Sequence, residues 1–194
     1  MRAQQALDKF LTLLKPNSQV LDIGSGDGAH AKVMRESGHS VTTLDPYHPA
    51  DIQNHYLANR FDHKFDAIWC SHVLEHQTNP GVFLQSIFGD LKDAGVLGLT
   101  VPPPVDKLAG GHVVQFSPSM LIYQLILAGF DCRDASVGVY GHNISVVMRK
   151  KRLDRRIFKD LVHDNGDIET LAEFFPWTVR QGIRGSETGQ INWS

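Results

Sequence analysis

The stretch Val20-Leu-Asp-Ile-Gly-Ser-Gly-Asp-Gly28 decides how the chain is read. Its first half is an apolar run of the length of a buried strand, and its second half puts glycine at 24, 26 and 28. Glycines there allow positive φ and let the backbone approach a ligand with no Cβ in the way. A helical segment, Ala29 to Ser37, follows and stops at Gly38. A β-branched strand, Ser40 to Leu44, then closes on Asp45-Pro46. An acid placed there, about seventeen residues past Gly28, can accept hydrogen bonds from both hydroxyls of a ribose. Strand, glycine turn, helix, strand and acid together predict a nucleoside site at the carboxyl edge of a parallel sheet.

Outward from that unit, Leu7, Phe10, Leu11 and Leu14 recur at helical spacing and predict an amphipathic helix ending before Pro16. The stretch 46–64 is polar, with one short strand expected near His55 to Ala58, and Asp66 to Cys70 is a clear strand. Pro80 opens a helix to about Lys92, because a proline at the first helical position has no hydrogen bond to lose. Gly95 to Val101 reads as a strand, and Ser117 caps a helix from Pro118 to Ala128. Cys132 to Val139 and Asn143 to Met148 read as a hairpin. Such alternation predicts an α/β fold with a mostly parallel sheet covered on both faces and one antiparallel strand.

Composition narrows the class. The chain has 194 residues, 42% hydrophobic and 21% charged, which excludes collagen-like, disulfide-rich and disordered proteins. Nineteen Lys and Arg against twenty-one Asp and Glu leave −2, so no strong pull toward nucleic acid is expected. Cys70 and Cys132 make no disulfide framework. The opening segment has no apolar signal core, and no run approaches the roughly 20 apolar residues of a membrane span. A cytoplasmic setting is therefore expected. Beyond Arg149 the composition shifts, with nine Lys and Arg and seven Asp and Glu in residues 149–194. The division expected is a domain over 1–149 and a helical and loop appendage over 150–194. The appendage would hold a basic amphipathic helix in RKKRLDRRIFKDLV, a second helix near Asp167 to Phe174 and a loop-like last fifteen residues.

The glycines alone also fit a dinucleotide site. Asp22, two residues before Gly24, separates the cofactors: a carboxylate facing the loop repels a pyrophosphate but holds an ammonium, directly or through water. S-adenosylmethionine carries an ammonium and a sulfonium and no phosphate. DIGSGDG, TTLDP and FDAIWCSHVLEH (65–76), with FLQSIFGDLKDAGVLGLTVPP (83–103) and GGHVVQFSPSMLIYQLILAGFDC (110–132), resemble the class I S-adenosylmethionine-dependent methyltransferases over residues 18–148. The resemblance implies a Rossmann-like three-layer sandwich with a seven-stranded sheet and an antiparallel last strand. It also implies an acidic or amide contact to adenine; Asn54 and Asp62 are the candidates here, in a segment shorter than the family's. The cofactor set read from both lines is Asp22, Gly24, Ser25, Gly26, Gly28, His30, Asp45, Pro46, Cys70 and Ser71, with His30 toward the cofactor's carboxylate.

Ten histidines are many for this length. Methyl transfer is an in-line displacement, so alignment supplies most of the rate and a general base adds to it when a hydroxyl must lose its proton. His72, His112 and His142 lie where strands end at the active edge and are the candidate bases. His72, Glu75 and His76 sit at i, i+3 and i+4, which makes them neighbours if that turn is helical. The reading assigns them no metal, local hydrogen bonding being the simpler role; His72, Glu75, His76 and His112 are the set that would hold a divalent ion. His39, His48, His55 and His63 are expected at the solvated surface, and Trp69 and Phe116 in the core. Phe174, Phe175, Pro176 and Trp177 are expected to pack the appendage onto the core, with an acceptor-pocket wall or a homodimer contact as alternatives. The basic run from Arg149 to Arg156 reads as a solvated helix face.

The expected activity is methyl transfer to a small-molecule or carbohydrate acceptor, at a hydroxyl. RNA methylation is the rival within enzymes, and it requires a continuous basic surface. A non-catalytic S-adenosylmethionine-binding regulator is the rival outside them, and a nicotinamide oxidoreductase is more distant.

Overall fold

Each strand of the sheet is an apolar run because helices cover both of its faces. A computed structural model describes residues 3–107, 109–163 and 166–179. In chain order the elements are α1 (Gln4–Leu13), β1 (Gln19–Ile23), α2 (Ala29–Glu36), β2 (Ser40–Leu44), β3 (Phe65–Ser71) and α3 (Pro80–Asp90). They continue with β4 (Leu91–Val101), α4 (Pro118–Ala128), β5 (Ser136–Tyr140), β6 (Asn143–Arg149) and α5 (Asp167–Leu171). The strands form one sheet in the order β2-β1-β3-β4-β6-β5. Only β6 runs antiparallel to its neighbours β4 and β5, so the last strand is the antiparallel one, as expected.

Two cores flank the sheet. Leu7 and Phe10 of α1 and Ala31 and Met34 of α2 pack with Val20, Ala67, Trp69 and Val147 on one face. Phe83, Leu84 and Ile87 of α3 and Leu121, Ile122, Leu125 and Ile126 of α4 pack with Leu21, Ile68, Leu97 and Val146 on the other. Asn79 and Ser117 cap α3 and α4 by accepting from Val82 N and Met120 N, each with proline at the next position. Gly129, at φ +112°, ends α4.

The sheet has six strands rather than the seven expected. Residues Tyr56–Ala58, read as part of a strand, form a short 3-10 turn, and the segment after β2 pairs with it as an isolated bridge between Leu44 and Ile52 rather than as a strand. A side chain takes the place of the outer strand. Asp51 Oδ2 accepts from Thr43 N at 2.9 Å, from Thr43 Oγ1 at 2.8 Å and from Arg35 Nη2 at 3.0 Å. That carboxylate satisfies the edge amide which a further strand would otherwise pair.

Two other expectations are corrected. The strand drawn from Cys132 starts at Ser136, because Ala135 N donates to Cys132 O and Asp131 draws the Arg133 amide and guanidinium into a turn. The basic run is not an amphipathic helix. Arg149 ends β6, Lys150 is buried with its ammonium donating to Phe88 O and Leu91 O, and only Arg155–Lys159 coils, as a 3-10 turn. A lysine turned inward at the end of a strand holds that segment extended. Beyond it, Phe174 and Phe175 are buried in the α3 and α4 core and Cys132 N donates to Phe174 O. The expectation for the last fifteen residues lies outside the described residues. No helix of the described residues is long and apolar enough to cross a membrane.

Candidate active site

The glycine loop crosses from β1 to α2 at the carboxyl edge of the parallel strands. Gly24, Gly26 and Gly28 all have positive φ, at +71°, +54° and +76°. Gly24 N and Ser25 N donate to Leu44 O at 2.7 and 3.2 Å, which ties the loop to the end of β2. Beneath Gly24 lies Val73, whose Cγ2 occupies the space a Cβ would need; Gly26 and Gly28 face open space. The loop is packed at its first glycine and open at the other two, which is the shape a cradle for a ligand requires.

Two acids face this loop. Asp45 Oδ2 accepts from Gly26 N at 2.9 Å, and Oδ1 accepts from Tyr47 N and His48 N at 2.8 Å each, with His48 Nδ1 at 3.2 Å. Burial alone would raise the Asp45 pKa, but these donors outweigh it and hold the carboxyl below its ordinary range. Asp22 is 1% exposed, and its Oδ2 finds no hydrogen bond among the described residues; neither does the buried Ser25 Oγ. Desolvation pushes Asp22 up to about 7, against the pull of Arg35 and with help from the Asp45 charge. A buried carboxylate oxygen and a buried hydroxyl with no hydrogen bond among the described residues, beside an open glycine loop, fit the ammonium end of S-adenosylmethionine. His30 opens α2 with its ring edge-on to Trp69, centroids 5.3 Å apart.

The end of β3 carries the next group. Ser71 Oγ bonds Thr100 Oγ1 at 2.9 Å, and His72 N donates to Thr100 O. The Cys70 side chain is fully buried in the α3 and α4 core, and burial raises its thiol well above the ordinary range, so any pocket role falls to its backbone. His72 adopts φ +57°, a left-handed conformation that costs a non-glycine residue about 1–3 kcal/mol. Both ring nitrogens face acceptors: Nε2 lies 2.9 Å from Asn143 Oδ1 and Nδ1 3.3 Å from Glu75 Oε1. A ring held at both ends is suited to positioning more than to proton abstraction.

Glu75, His76 and His112 come together, with one ligand atom from each within 4.8 Å of the others. Glu75 is 1% exposed, yet neither carboxylate oxygen accepts a hydrogen bond among the described residues. His76 Nδ1 lies 2.7 Å from Gly111 O, and the His76 and His112 rings meet edge to face at 4.9 Å. The backbone fixes this meeting, because Val113 N and Val114 N both donate to Glu75 O. His142 is exposed at the tip of the β5–β6 turn, next to Asn143. Pro46 follows Asp45 in the turn, half-buried. Of the adenine candidates, Asn54 Oδ1 accepts from His55 N and Asp62 pairs with His63 on the surface.

Two functional contacts escaped the sequence reading. His48, expected as plain surface, supplies an amide and a ring nitrogen to Asp45; its place three residues after the acid was the available signal. Asn143 was read only as strand, although a polar residue on a strand otherwise apolar, Ile144 to Met148 apart from Ser145, marks a special position.

With this geometry in hand, comparison with known proteins gives the family. A family model described as a methyltransferase domain matches residues 1–122, and the chain belongs to that family. No curated protein matches the sequence. Among solved structures, the 1,6-didemethyltoxoflavin-N1-methyltransferase of Burkholderia thailandensis, crystallised with 1,6-didemethyltoxoflavin and S-adenosylhomocysteine, is 20% identical. The alignment covers 76% of this chain and 77% of that one, at a TM-score of 0.66. An S-adenosylmethionine-dependent methyltransferase from Archaeoglobus fulgidus is 17% identical over 75% of this chain and 91% of that one, at 0.64. The mitomycin 7-O-methyltransferase MmcR is 13% identical over 77% and 54%, at 0.58. The fold is that of the class I methyltransferases, which use S-adenosylmethionine as methyl donor.

Proposed function

We propose that the protein transfers the methyl group of S-adenosylmethionine to a hydroxyl of a small-molecule or carbohydrate acceptor, with the proton taken up at the histidine edge. The observation that carries the reading is the meeting of His112, from the loop after β4, with Glu75 and His76 on the turn after β3, whose Val73 packs against Gly24. Asp22 and Ser25 hold the ammonium end of the cofactor, His30 lies toward its carboxylate, and Asp45 and Pro46 lie toward the ribose. The backbone of Cys70 and Ser71 flanks the sulfonium. In the transfer the acceptor oxygen forms a bond to the methyl carbon while the carbon–sulfur bond breaks and S-adenosylhomocysteine leaves. His112, half-exposed and carried on a loop tied to Glu75, takes the hydroxyl proton; His72 positions Glu75 rather than acting as the base, and His142 borders the acceptor. The small acceptor named for the Burkholderia thailandensis structure supports the substrate class.

The test is incubation with methyl-labelled cofactor and a metabolite extract, followed by identification of the labelled product. An O-methylated small molecule is expected. His112→Ala should lower turnover by the roughly 10²–10⁴-fold that a general base contributes, with cofactor affinity unchanged. Label found on RNA, or on nitrogen alone, overturns the reading.

A further inference from the structure

We propose that Glu75, His76 and His112 form a binding site for a divalent first-row transition-metal ion, with coordination positions open at the acceptor edge. Glu75 motivates it. A carboxylate with no hydrogen bond, 1% exposed, is costly unless something cationic faces it. Its ion-pair partners among the described residues are His72 Nδ1 at 3.3 Å and His76 Nε2 at 4.0 Å, which carry charge only when protonated.

The histidines are prepared for the same ion. His76 Nδ1 donates to Gly111 O at 2.7 Å, which fixes the tautomer and leaves the Nε2 lone pair on the side of Glu75. Metal-binding imidazoles are oriented by such a bond from the other ring nitrogen. Gly111, at φ +75°, permits the approach, since a Cβ there would lie 3.1 Å from His76 Nδ1. His112 meets the His76 ring edge to face, on a loop held by two amides donating to Glu75 O. The donor atoms lie within 4.8 Å of one another, and an ion with the ~2 Å bonds such ions make would draw them closer.

The donor set selects the ion. Two imidazoles and one carboxylate suit zinc, iron(II), cobalt or manganese, whereas calcium and magnesium take mostly oxygen. Three protein ligands leave room for solvent or a substrate oxygen. This chemical role rests on the hydroxyl acceptor proposed above: with the ion bound, His112 is a ligand and the ion takes over its part in activating the hydroxyl, His112 serving as base in the metal-free protein. An acceptor hydroxyl on the ion would lose its proton to solvent near neutral pH, and its oxygen would form the bond to the methyl carbon as the carbon–sulfur bond breaks.

The experiment measures metal without turnover. Untagged, chelator-stripped protein, free of cofactor and acceptor, is titrated with Co2+ and followed by the visible d–d band and by equilibrium dialysis. One equivalent bound with a d–d band, displaced by Zn2+, is expected. His76→Gln and His112→Gln should each weaken binding by at least the roughly 10–100-fold that loss of a supporting hydrogen bond costs at metal sites. His63→Ala should leave it unchanged, and thermal unfolding checks that each variant is folded. Substoichiometric binding, or binding that neither variant weakens, overturns the site. Stoichiometric binding in a protein that yields no O-methylated product would leave the site standing and remove the hydroxyl reading alone.

Discussion

Val73 fills the space where a side chain at Gly24 would begin, so the first glycine of the loop and the turn after β3 are packed as one unit. Gly24→Ala meets two penalties. The +71° φ disfavours an L-residue by about 1–2 kcal/mol, and the overlap adds about 1–3 kcal/mol. Adding Val73→Ala should recover the overlap and not the backbone strain. Thermal unfolding of the two single variants and the double variant separates the terms; full recovery in the double variant would exclude a backbone contribution.

Asp22 makes stability depend on pH. Its folded pKa is raised to about 7 from 3.8, so between those values the unfolded chain ionises while the fold keeps the acid protonated. Stability should fall as pH rises through that window, by about 4 kcal/mol in all, and the loss is complete above it. Asp22→Asn should flatten the slope, and Asp45→Asn should lower the Asp22 pKa by removing a neighbouring charge. If the cofactor ammonium seats on Asp22, binding near pH 6 releases a proton. Calorimetry in buffers of different ionisation enthalpy measures that release.

Asn143 holds the strained His72 ring, which is bonded at 2.9 Å. Asn143→Ala should cost about 1–3 kcal/mol of stability through the lost buried partner. Turnover should fall while cofactor affinity is kept, since the glycine loop is untouched. An unchanged kcat at saturating cofactor would show that His72 needs no such support.

Much of this arrangement is written in local pattern. The run from Val20 to Gly28, the prolines at 80 and 118 and the glycine at 129 act within a few residues of themselves, and the elements they define are where the sequence puts them. The missing strand and the inward Lys150 depend on partners beyond the local pattern: Asp51 reaches Thr43 across a turn, and Lys150, at the end of β6, reaches Phe88 and Leu91, which lie 62 and 59 residues earlier in the chain. The spacing of His72, Glu75 and His76 brought three side chains into consideration, but a helical turn would have gathered all of them. With a 3-10 turn at Leu74–His76 and a positive φ at His72, the His72 ring spans Asn143 and Glu75, and it is His112, from a distant loop, that joins Glu75 and His76.

The Asp51 carboxylate that closes β2 sets the width of the sheet with one residue rather than with a strand. An open strand edge invites pairing with another chain. Here any such partner must first displace a charge held by Arg35 and by two donors of Thr43. A strand pairing with β2 at this amide would therefore meet a negative charge, and that charge follows the ionisation of a single acid.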